Sequence, residues 1–439
     1  MCRTVFDIFL EWKVIMKKTL AALTAFVMVF GAGGILPCVC GEHGSVISAS
    51  AETNGDYKYK VQDDGTVKIT KYKGSAEELT SPSKLDGKKV TVIENDAFSG
   101  CTKLKSVKIP AGVTRIGLDS FSGCTALTSV TLPDSVVRIE DYSFSECTNL
   151  TSINIPKGVT YIGGYAFKNT KWLENKQQEE PQVIVNGILI DGTQCRGSIV
   201  IPDGVTCIAS EAFINCKTLT GVTIPDSVTV LGMSAFEGCT NLTRIKIPHS
   251  VTDISFAAFS DCTNLTGVTI PESVTTIEAR AFNGCTSLKN ITIPDSVLGI
   301  GWGAFMDCTS LKNITIPNNV IDLMDYSFGY SWNYGTSGCD KLSGIKIYCY
   351  KGSAGEKYAI DNGFDYEIIT KKKTDIKGDI SGDGAVTVSD ISLLAAHVKG
   401  IKKLDEAAQK RADLNKDGAV NVTDISLLAA HVKGRKALS

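Results

Sequence analysis

Two acidic segments near the carboxyl end of the chain hold the residues whose types and spacing best suit a chemical task. The first reads Asp379-x-Ser381-x-Asp383-Gly384-x-x-Thr387-x-x-Asp390, and 34 residues later the same spacing returns as Asp413-x-Asn415-x-Asp417-Gly418-x-x-Asn421-x-x-Asp424. Side-chain oxygens at alternate positions turn inward, and glycine at the sixth position permits a sharp turn. Because Ca²⁺ is a hard cation that prefers oxygen ligands, the two segments predict two calcium sites.

The same six positions of each loop supply the predicted ligands. Position 7 contributes its backbone carbonyl, and the others contribute side chains. The alternative is a pair of Asx turns without metal. The predicted ligands are Asp379, Ser381, Asp383, Ala385, Thr387 and Asp390 in loop one, and Asp413, Asn415, Asp417, Ala419, Asn421 and Asp424 in loop two.

The two loops differ from the usual EF-hand calcium loop in two features, which indicate the type of calcium-binding domain. Position 12 is Asp instead of Glu in both loops, and no helical pattern precedes the first loop. Each loop runs into the pattern D-x-x-x-L-x-x-x-V-x-G, at 390–400 and at 424–434. In these features the segment 378–434 resembles a type I dockerin, which predicts a small helical dockerin domain over 378–439.

Resemblance to dockerins implies two Ca²⁺ ions as cofactors and a cohesin module of a scaffoldin as partner. In that family, loop positions 10 and 11 and the following helix contact the cohesin. Residues 379–400 and 413–434 are identical at 17 of 22 positions, so either half could dock after a half-turn. The implied contacts are Val388, Ser389, Ala395, Ala396, Val422, Thr423, Ala429 and Ala430.

The predicted dockerin has little core of its own. A domain of about sixty residues buries few apolar side chains, here Ile391, Leu394, Val398 and their counterparts in the second half, so metal binding is expected to supply much of its folding energy. Loop one is expected to bind Ca²⁺ more weakly, because Ser381 and Thr387 stand where loop two has amides.

A 23-residue repeat fills the middle of the chain. In the unit that begins at Val228, Phe236, Cys239, Leu242, Ile245 and Ile247 precede Pro248, and the other units keep these offsets. A unit of this length cannot bury its own apolar edge, so the units must stack into a solenoid, with the short strand before each proline forming one parallel sheet. The units open at Val90, Val113, Val136, Val159, Val205, Val228, Val251, Val274, Val297 and Val320.

The pattern V-x-x-I-x-x-x-A-F-x-x-C-x-x-L-x-x-I-x-I-P resembles the BspA-like leucine-rich repeats over roughly 57–369. The resemblance implies a binding and adhesion scaffold with no common ligand. The predicted fold class is therefore a repeat solenoid with a parallel β ladder, followed by a small α-helical dockerin with two EF-hand-like loops.

One unit is twice as long as the others, from Val159 to Val205. An insertion of one whole period keeps the stack in phase, so this unit is expected to form an aberrant coil whose charged part, 171–180, loops out. Thr170 takes the place of cysteine in this unit. The eight column cysteines (101, 124, 147, 216, 239, 262, 285 and 308) point the same way in neighbouring coils, so mostly reduced thiols are expected.

The chain is expected to begin with a secretory signal. Positive charge at Lys17 and Lys18 precedes an apolar run, and residues 1–51 read as a signal peptide whose true start is Met16 or Met1. A lipoprotein site at Cys38 or Cys40 is the alternative. The further boundaries are a β-hairpin cap with a degenerate repeat over 52–89, the solenoid with its C-terminal cap over 90–369, and a linker over 370–377.

Composition and motifs exclude several functions. The near balance of 45 basic and 47 acidic residues gives no nucleic-acid signature. The solenoid holds one histidine, His249, and no carboxylate pair breaks the repeat as a glycosidase would require. No aromatic stripe follows the exposed strand positions, so a sugar-stacking platform is not expected there.

The predicted function is therefore that of a secreted, extracellular, non-catalytic binding or adhesion protein. Its dockerin would tether it, with calcium, to a cell-surface scaffoldin of a polysaccharide-degrading complex. A carbohydrate-active enzyme is the first alternative, because dockerins commonly accompany enzymes. An inhibitor or protector of neighbouring enzymes is the second.

Overall fold

The computed structural model describes residues 52–333, 335, 338–369, 377–381, 386–401 and 403–432. The expected signal peptide, the linker over 370–376 and two predicted ligands, Asp383 and Ala385, lie outside the described residues. No helix in the described ranges is long and apolar enough to span a bilayer.

The described chain holds 29 strands and five helices, most of the strands only two to four residues long. In the first part of the chain they are β1 (Glu52–Asn54), β2 (Tyr57–Val61), β3 (Val67–Tyr72), β4 (Glu78–Thr80), β5 (Lys84–Leu85), β6 (Lys88–Ile93), β7 (Ser106–Lys108), β8 (Arg115–Ile116), β9 (Ser129–Thr131), β10 (Arg138–Ile139), β11 (Ser152–Asn154), β12 (Tyr161–Ile162), α1 (Lys171–Glu179), β13 (Val183–Val185), β14 (Ile188–Asp191) and β15 (Gly197–Val200). The rest are β16 (Cys207–Ile208), β17 (Leu219–Thr223), β18 (Val230–Leu231), β19 (Arg244–Lys246), β20 (Asp253–Ile254), β21 (Gly267–Thr269), β22 (Thr276–Ile277), β23 (Gly299–Ile300), β24 (Asn313–Thr315), β25 (Asp322–Leu323), β26 (Tyr330–Asn333), β27 (Gly338–Lys341), β28 (Lys346–Cys349), α2 (Ala354–Asp361), β29 (Asp365–Ile368), α3 (Val388–Val398), α4 (Glu406–Ala412) and α5 (Val422–Val432).

The regular coils stack in parallel, one period apart, along two ladders. The ladder predicted from the segment before each proline is present, with Ser106 of β7 opposite Ser129 of β9. A second ladder, which the repeat pattern did not indicate, joins two-residue strands near the start of each unit, with Arg115 of β8 opposite Arg138 of β10. The expectation of a single sheet was therefore incomplete.

The aromatic column forms the centre of the core. Phe98, Phe121, Phe144 and Phe167 stack with ring centroids 4.8 to 5.7 Å apart and ring planes within 10°. A second stack, from Phe213 to Phe328, has centroids 4.9 to 5.5 Å apart. Offset stacked rings gain about 0.5–1.5 kcal/mol per pair beyond the apolar area they bury, so each ring holds its coil to the next.

The column cysteines are buried thiols that bond to the backbone. Cys124 Sγ donates to Phe98 O at 3.1 Å and Cys239 Sγ donates to Phe213 O at 3.1 Å, in each case to the coil before. Burial raises the pKa of Cys239 to about 12. All twelve described cysteines are free, which agrees with the expectation of reduced thiols.

Both ends of the solenoid are covered. At the first end, β2 and β3 pair antiparallel around Asp64 and Gly65, and Tyr72 stacks on Phe98. At the other end, α2 begins at its N-cap Ser353, whose side chain accepts from the Glu356 amide, and the chain leaves the helix through Gly363 at φ +62°. The hairpin and a C-terminal cap are therefore present, as the sequence indicated, and the C-terminal cap contains a short helix.

The double-length unit contains a helix where a loop was expected. Residues 171–179 form α1, and Trp172 on its first turn is buried, with its ring centroid 4.5 Å from that of Phe167. Thr170 explains the start of the helix. Thr170 stands at the cysteine position of the repeat. Its hydroxyl donates to Phe167 O of the same coil and accepts from the Leu173 amide, so one side chain closes the coil and caps the helix.

A half-buried acid lies beside the same unit. The carboxyl of Glu211 packs against Gly164, where a Cβ would come within 2.5 Å of its Oε2. That oxygen is buried and has no hydrogen-bond partner. Burial, together with the carboxylates of Asp141 and Glu237, raises the pKa of Glu211 to about 8, although Lys168 opposes the shift.

We predict that the unfolded protein, denatured without reductant, titrates at least twelve thiols per chain with a thiol reagent. In the native protein the same thiols should react slowly, because they are buried in the coil stack. Near-absence of free thiols after denaturation would contradict the structure.

We also predict that Glu211 makes the solenoid less stable as the pH rises. A carboxyl whose folded pKa is raised from 4.5 to about 8 keeps its proton in the folded state while the unfolded chain loses it. Stability should therefore fall between pH 4.5 and 8, by at most about 1.4 kcal/mol per pH unit.

Urea unfolding of the wild type and of Glu211→Gln at pH 5 and pH 8.5 measures this dependence. The variant should gain stability relative to the wild type at the higher pH, and the exposed Glu272→Gln is the matched control. An equal difference between wild type and Glu211→Gln at both values would refute the prediction.

Candidate calcium-binding site

The three helices of the carboxyl-terminal tail enclose a small apolar cluster. Helix α4 leads directly into loop two, whereas the residues just before loop one form a turn. Leu394 of α3 and Leu428 of α5 are fully buried and equivalent in the two halves. The fully packed members of the cluster are Ile380, Leu394, Leu404, Ala408, Ala412, Leu414 and Leu428. So few buried side chains agree with the expectation that the tail has little core of its own.

The first half of loop two gathers its polar side chains around its own backbone. Asp413 accepts from the amides of Asp417 and Gly418, at 3.2 and 2.9 Å. Asn415 Oδ1 also accepts from the Asp417 amide, at 3.1 Å. Asn415 Nδ2 donates to Asp417 Oδ2 at 2.6 Å, so the side chains at positions 1, 3 and 5 lie within one turn.

Position 12 closes both loops in the same way. Asp424 is fully buried, and its two oxygens accept from the amides of Leu414 (2.8 Å) and Asn421 (3.0 Å). Asp390 is also fully buried, and it accepts from the amides of Ser381 and Thr387, both at 2.8 Å. The two loops are thus structural duplicates at this position.

The donor set of loop two fits a hard divalent cation. Its side chains supply carboxylate and amide oxygens, and Asp417 is held ionised because the Ala419 amide, followed by the Asn415 side chain, keeps its pKa below the usual range. Within the described ranges no three acidic, thiol or imidazole side chains converge as a finished metal cage. In loop two the carboxylates instead accept from backbone amides. The match between loop two and Ca²⁺ therefore rests on the oxygen ligands that its side chains offer and on their order along the loop, with position 7 contributing the Ala419 carbonyl.

A buried arginine joins loop one to the rest of the domain, and sequence reasoning missed it. Arg411 Nε donates to Asp379 O at 2.5 Å, and Arg411 is 4% exposed. Asp379 itself is buried, and Ser381 Oγ donates to its Oδ1 at 3.1 Å. The one available signal was a charged residue on the buried side of α4. Arg411 takes up the backbone carbonyl at the loop entrance, so α4 positions loop one as well as loop two.

The predicted docking residues lie at the start and middle of α3 and α5. Val422 is 64% exposed and Thr423 is exposed, both at the beginning of α5. Ala395, Ala396, Ala429 and Ala430 are half-buried. Val388 and Ser389 begin α3 at the equivalent place. The two first turns therefore occupy equivalent positions in the duplicated halves.

Family models match both the repeat region and the carboxyl-terminal tail of the chain. The model of the BspA type leucine rich repeat region matches residues 71–185, 192–297 and 254–366, and the model of the dockerin type I domain matches residues 377–433. No curated protein matches the chain. Type I dockerin domains bind calcium, and a dockerin implies binding to a cohesin.

Solved structures of bacterial leucine-rich repeat proteins are also similar. A leucine rich cell surface protein from Faecalibacterium prausnitzii is 26% identical, covering 74% of this chain and 96% of its own, with a TM-score of 0.32. A leucine-rich repeat protein from Bacteroides ovatus is 23% identical, covering 73% and 100%, with a TM-score of 0.31. The chain belongs to the BspA-type leucine-rich repeat family and carries a C-terminal type I dockerin domain.

Proposed function

We propose that this chain is a secreted, non-catalytic binding protein that a calcium-dependent dockerin attaches to the cohesin of a scaffoldin. The complex it joins would be extracellular, at the cell surface, and would degrade polysaccharide. The observation that carries the proposal is the duplicated loop, closed in both copies by a buried aspartate, Asp390 or Asp424, that accepts from the backbone amides at positions 3 and 9 of its loop.

The proposed division of labour follows the proposed domain boundaries. Residues 1–51 direct secretion, 52–89 cap the solenoid, 90–369 bind the ligand, 370–377 link, and 378–439 dock. The solenoid supports a binding role because its columns are devoted to stacking, with rings and thiols bonded coil to coil. A side chain that only holds its neighbour does no chemistry, so the exposed turns and insertions are left for recognition.

Each loop is proposed to hold one Ca²⁺ ion. Loop one would use Asp379, Ser381, Asp383, Thr387, Asp390 and the carbonyl of Ala385. Loop two would use Asp413, Asn415, Asp417, Asn421, Asp424 and the carbonyl of Ala419. The ions would offset the repulsion among the carboxylates and fix the first turns of α3 and α5.

We propose that α3 and α5 are alternative cohesin-binding surfaces. The contacts are Val388, Ser389, Ala395 and Ala396 in one half and Val422, Thr423, Ala429 and Ala430 in the other. The support is the duplication itself: the residues at these places are the same or similar in the two halves, and the first turn of α5 presents Val422 and Thr423 to solvent.

We predict two calcium ions per chain and tighter binding by loop two, because Ser381 and Thr387 replace its two amide ligands. The expected ratio of the two dissociation constants is roughly tenfold, which corresponds to about 1.4 kcal/mol. Calorimetric titration of the full chain measures this, with Asp383→Ala and Asp417→Ala each removing position 5 of one loop. Asp417→Ala should leave only the weaker site, and Asp383→Ala only the tighter one. Asp365→Ala, on an exposed strand of the solenoid, is the control. A tighter loop one, or a wild type that binds a single ion, would contradict the assignment.

We predict that the full chain binds an immobilised type I cohesin in the presence of Ca²⁺ and loses it in EDTA. Surface plasmon resonance would measure cohesin binding by three variants. The first carries Val388→Asp and Ser389→Asp, the second carries Val422→Asp and Thr423→Asp, and the third carries all four substitutions. Each pair alone should weaken binding by no more than about threefold, because the other half still docks. All four should weaken it by at least about thirtyfold, the loss expected for a buried hot spot.

Two observations separate this outcome from a general loss of fold. Val200→Asp places the same charge at a residue of the solenoid that is 65% exposed, and it should leave cohesin binding unchanged. Calcium binding by the fourfold variant should also persist. Unchanged cohesin binding in EDTA would sink the proposed function.

A further inference from the structure

The backbone hydrogen bonds that join the coils fail at one place within the solenoid. In a regular coil three turn amides donate to the next coil, as Tyr142 N does to Gly164 O (3.0 Å), Phe144 N to Ala166 O (2.8 Å) and Glu146 N to Lys168 O (2.9 Å). All eight coils that open at Val90, Val113, Val136, Val205, Val228, Val251, Val274 and Val297 make this trio of bonds. In the coil that opens at Val159 the equivalent donors are the amides of Tyr165, Phe167 and Asn169. None of these three has a backbone or side-chain acceptor in the described part of the chain.

A missing turn explains the free donors. In the next coil, a short crossing of three residues, Asp191, Gly192 and Thr193, stands where the other coils have a full turn. Gly192 N donates to Ala212 O of the following coil, as the amides of the column phenylalanines do in the regular coils. Gly192 has no room for a side chain, because a Cβ would come 2.1 Å from the ring of Phe213. The space left by the absent turn is a cavity of about 310 Å³, lined by the turn from Tyr165 to Thr170, by α1, and by the short crossing.

The remaining walls of this cavity carry more acidic than basic side chains. Asp191, Glu174 and Glu211 line it, and Lys168 is its one lysine or arginine. Lys168 already lies over the Tyr165 ring, 4.2 Å from its centroid. Asp191 accepts from Gln177 Nε2 at 3.0 Å, whereas Glu211 Oε2 has no partner. The cavity therefore offers free backbone donors on one wall and carboxylate acceptors on another.

Backbone donors in this spacing suit a polypeptide. In seven of the eight regular coils the same three amides bind the carbonyls of alternate residues in a neighbouring segment of chain. The turn is otherwise kept, because Lys168 N still donates to Tyr165 O at 3.0 Å and Thr170 N to Phe167 O at 3.2 Å. An added segment with the same backbone would restore the missing bonds, as strand addition does at a sheet edge.

We propose that this cavity captures a short segment of a partner protein, whose backbone carbonyls accept from Tyr165, Phe167 and Asn169 and whose lysine or arginine pairs with Glu174 and donates to the unpartnered Oε2 of Glu211. The negative charge of Glu174 at the rim selects the basic side chain. The inference rests on the proposed role of the solenoid as a binding module, and it names the chemistry of the partner.

The test is a selection of random heptapeptides displayed on phage, run in parallel on the full wild-type chain and on Glu174→Arg. Glu174 is exposed at the cavity rim, so its reversal leaves the core intact. Glu180→Arg makes the same charge change on an exposed residue just after α1, outside the cavity lining, and is the matched control. Peptides rich in lysine and arginine should be enriched on the wild type and on Glu180→Arg, and bind Glu174→Arg at least about tenfold more weakly.

Hydrogen exchange locates the bound peptide. The amides of Tyr165, Phe167 and Asn169 should exchange faster than those of Phe121 and Phe144 in the free protein, and a selected peptide should protect them. Failure to enrich basic peptides, protection elsewhere, or protection by neutral oligosaccharides instead of peptides would overturn the proposal. Cohesin binding is measured on the same variants, and because their dockerin is unaltered, failure of docking and failure of this cavity remain distinguishable.

Discussion

The solenoid depends on one constraint, which is that the backbone of each regular turn hydrogen-bonds to the same turn of the next coil. Phe121 N donates to Ser143 O and Phe236 N donates to Ala258 O, both at 2.8 Å, and the pattern recurs along the stack. A coil of 23 residues has no core apart from its neighbours. Any change in coil length must therefore keep the phase, and the one long insertion in the regular repeat, from Val159 to Val205, adds a single whole period.

The repeat made most of this fold predictable from the sequence. The structure could not be predicted at the places where the repeat stops. The columns of Phe and Cys predicted the stacked rings and the buried thiols. Helix α1 escaped prediction because nearly all its residues are polar and only Trp172 is buried. The second ladder escaped because its strands, such as Arg115–Ile116, are shorter than any periodicity can reveal.

The dockerin shows the same limit on a smaller scale. Loop order follows from the sequence, since positions 1, 3, 5 and 12 must face one point, and Asp390 and Asp424 do close their loops alike. Arg411 could not be read from the pattern, because its bond to Asp379 O depends on how α4 packs against a loop 32 residues earlier. Spacing determines what a loop can bind, while packing between distant residues determines how firmly the loop is held.

The stack also explains where the chain is free to vary. The sixth residue after each opening valine has positive φ, and of these ten residues only Gly303 is glycine. This conformation costs an ordinary residue roughly 1–2 kcal/mol, and the amide bond to the next coil offsets that cost. Because the backbone fixes the turn, its side chain need not pack, and chemically different residues follow one another along one edge. At Tyr165 the turn persists without its bond to the next coil, so the strain is kept while the donors are free for another chain.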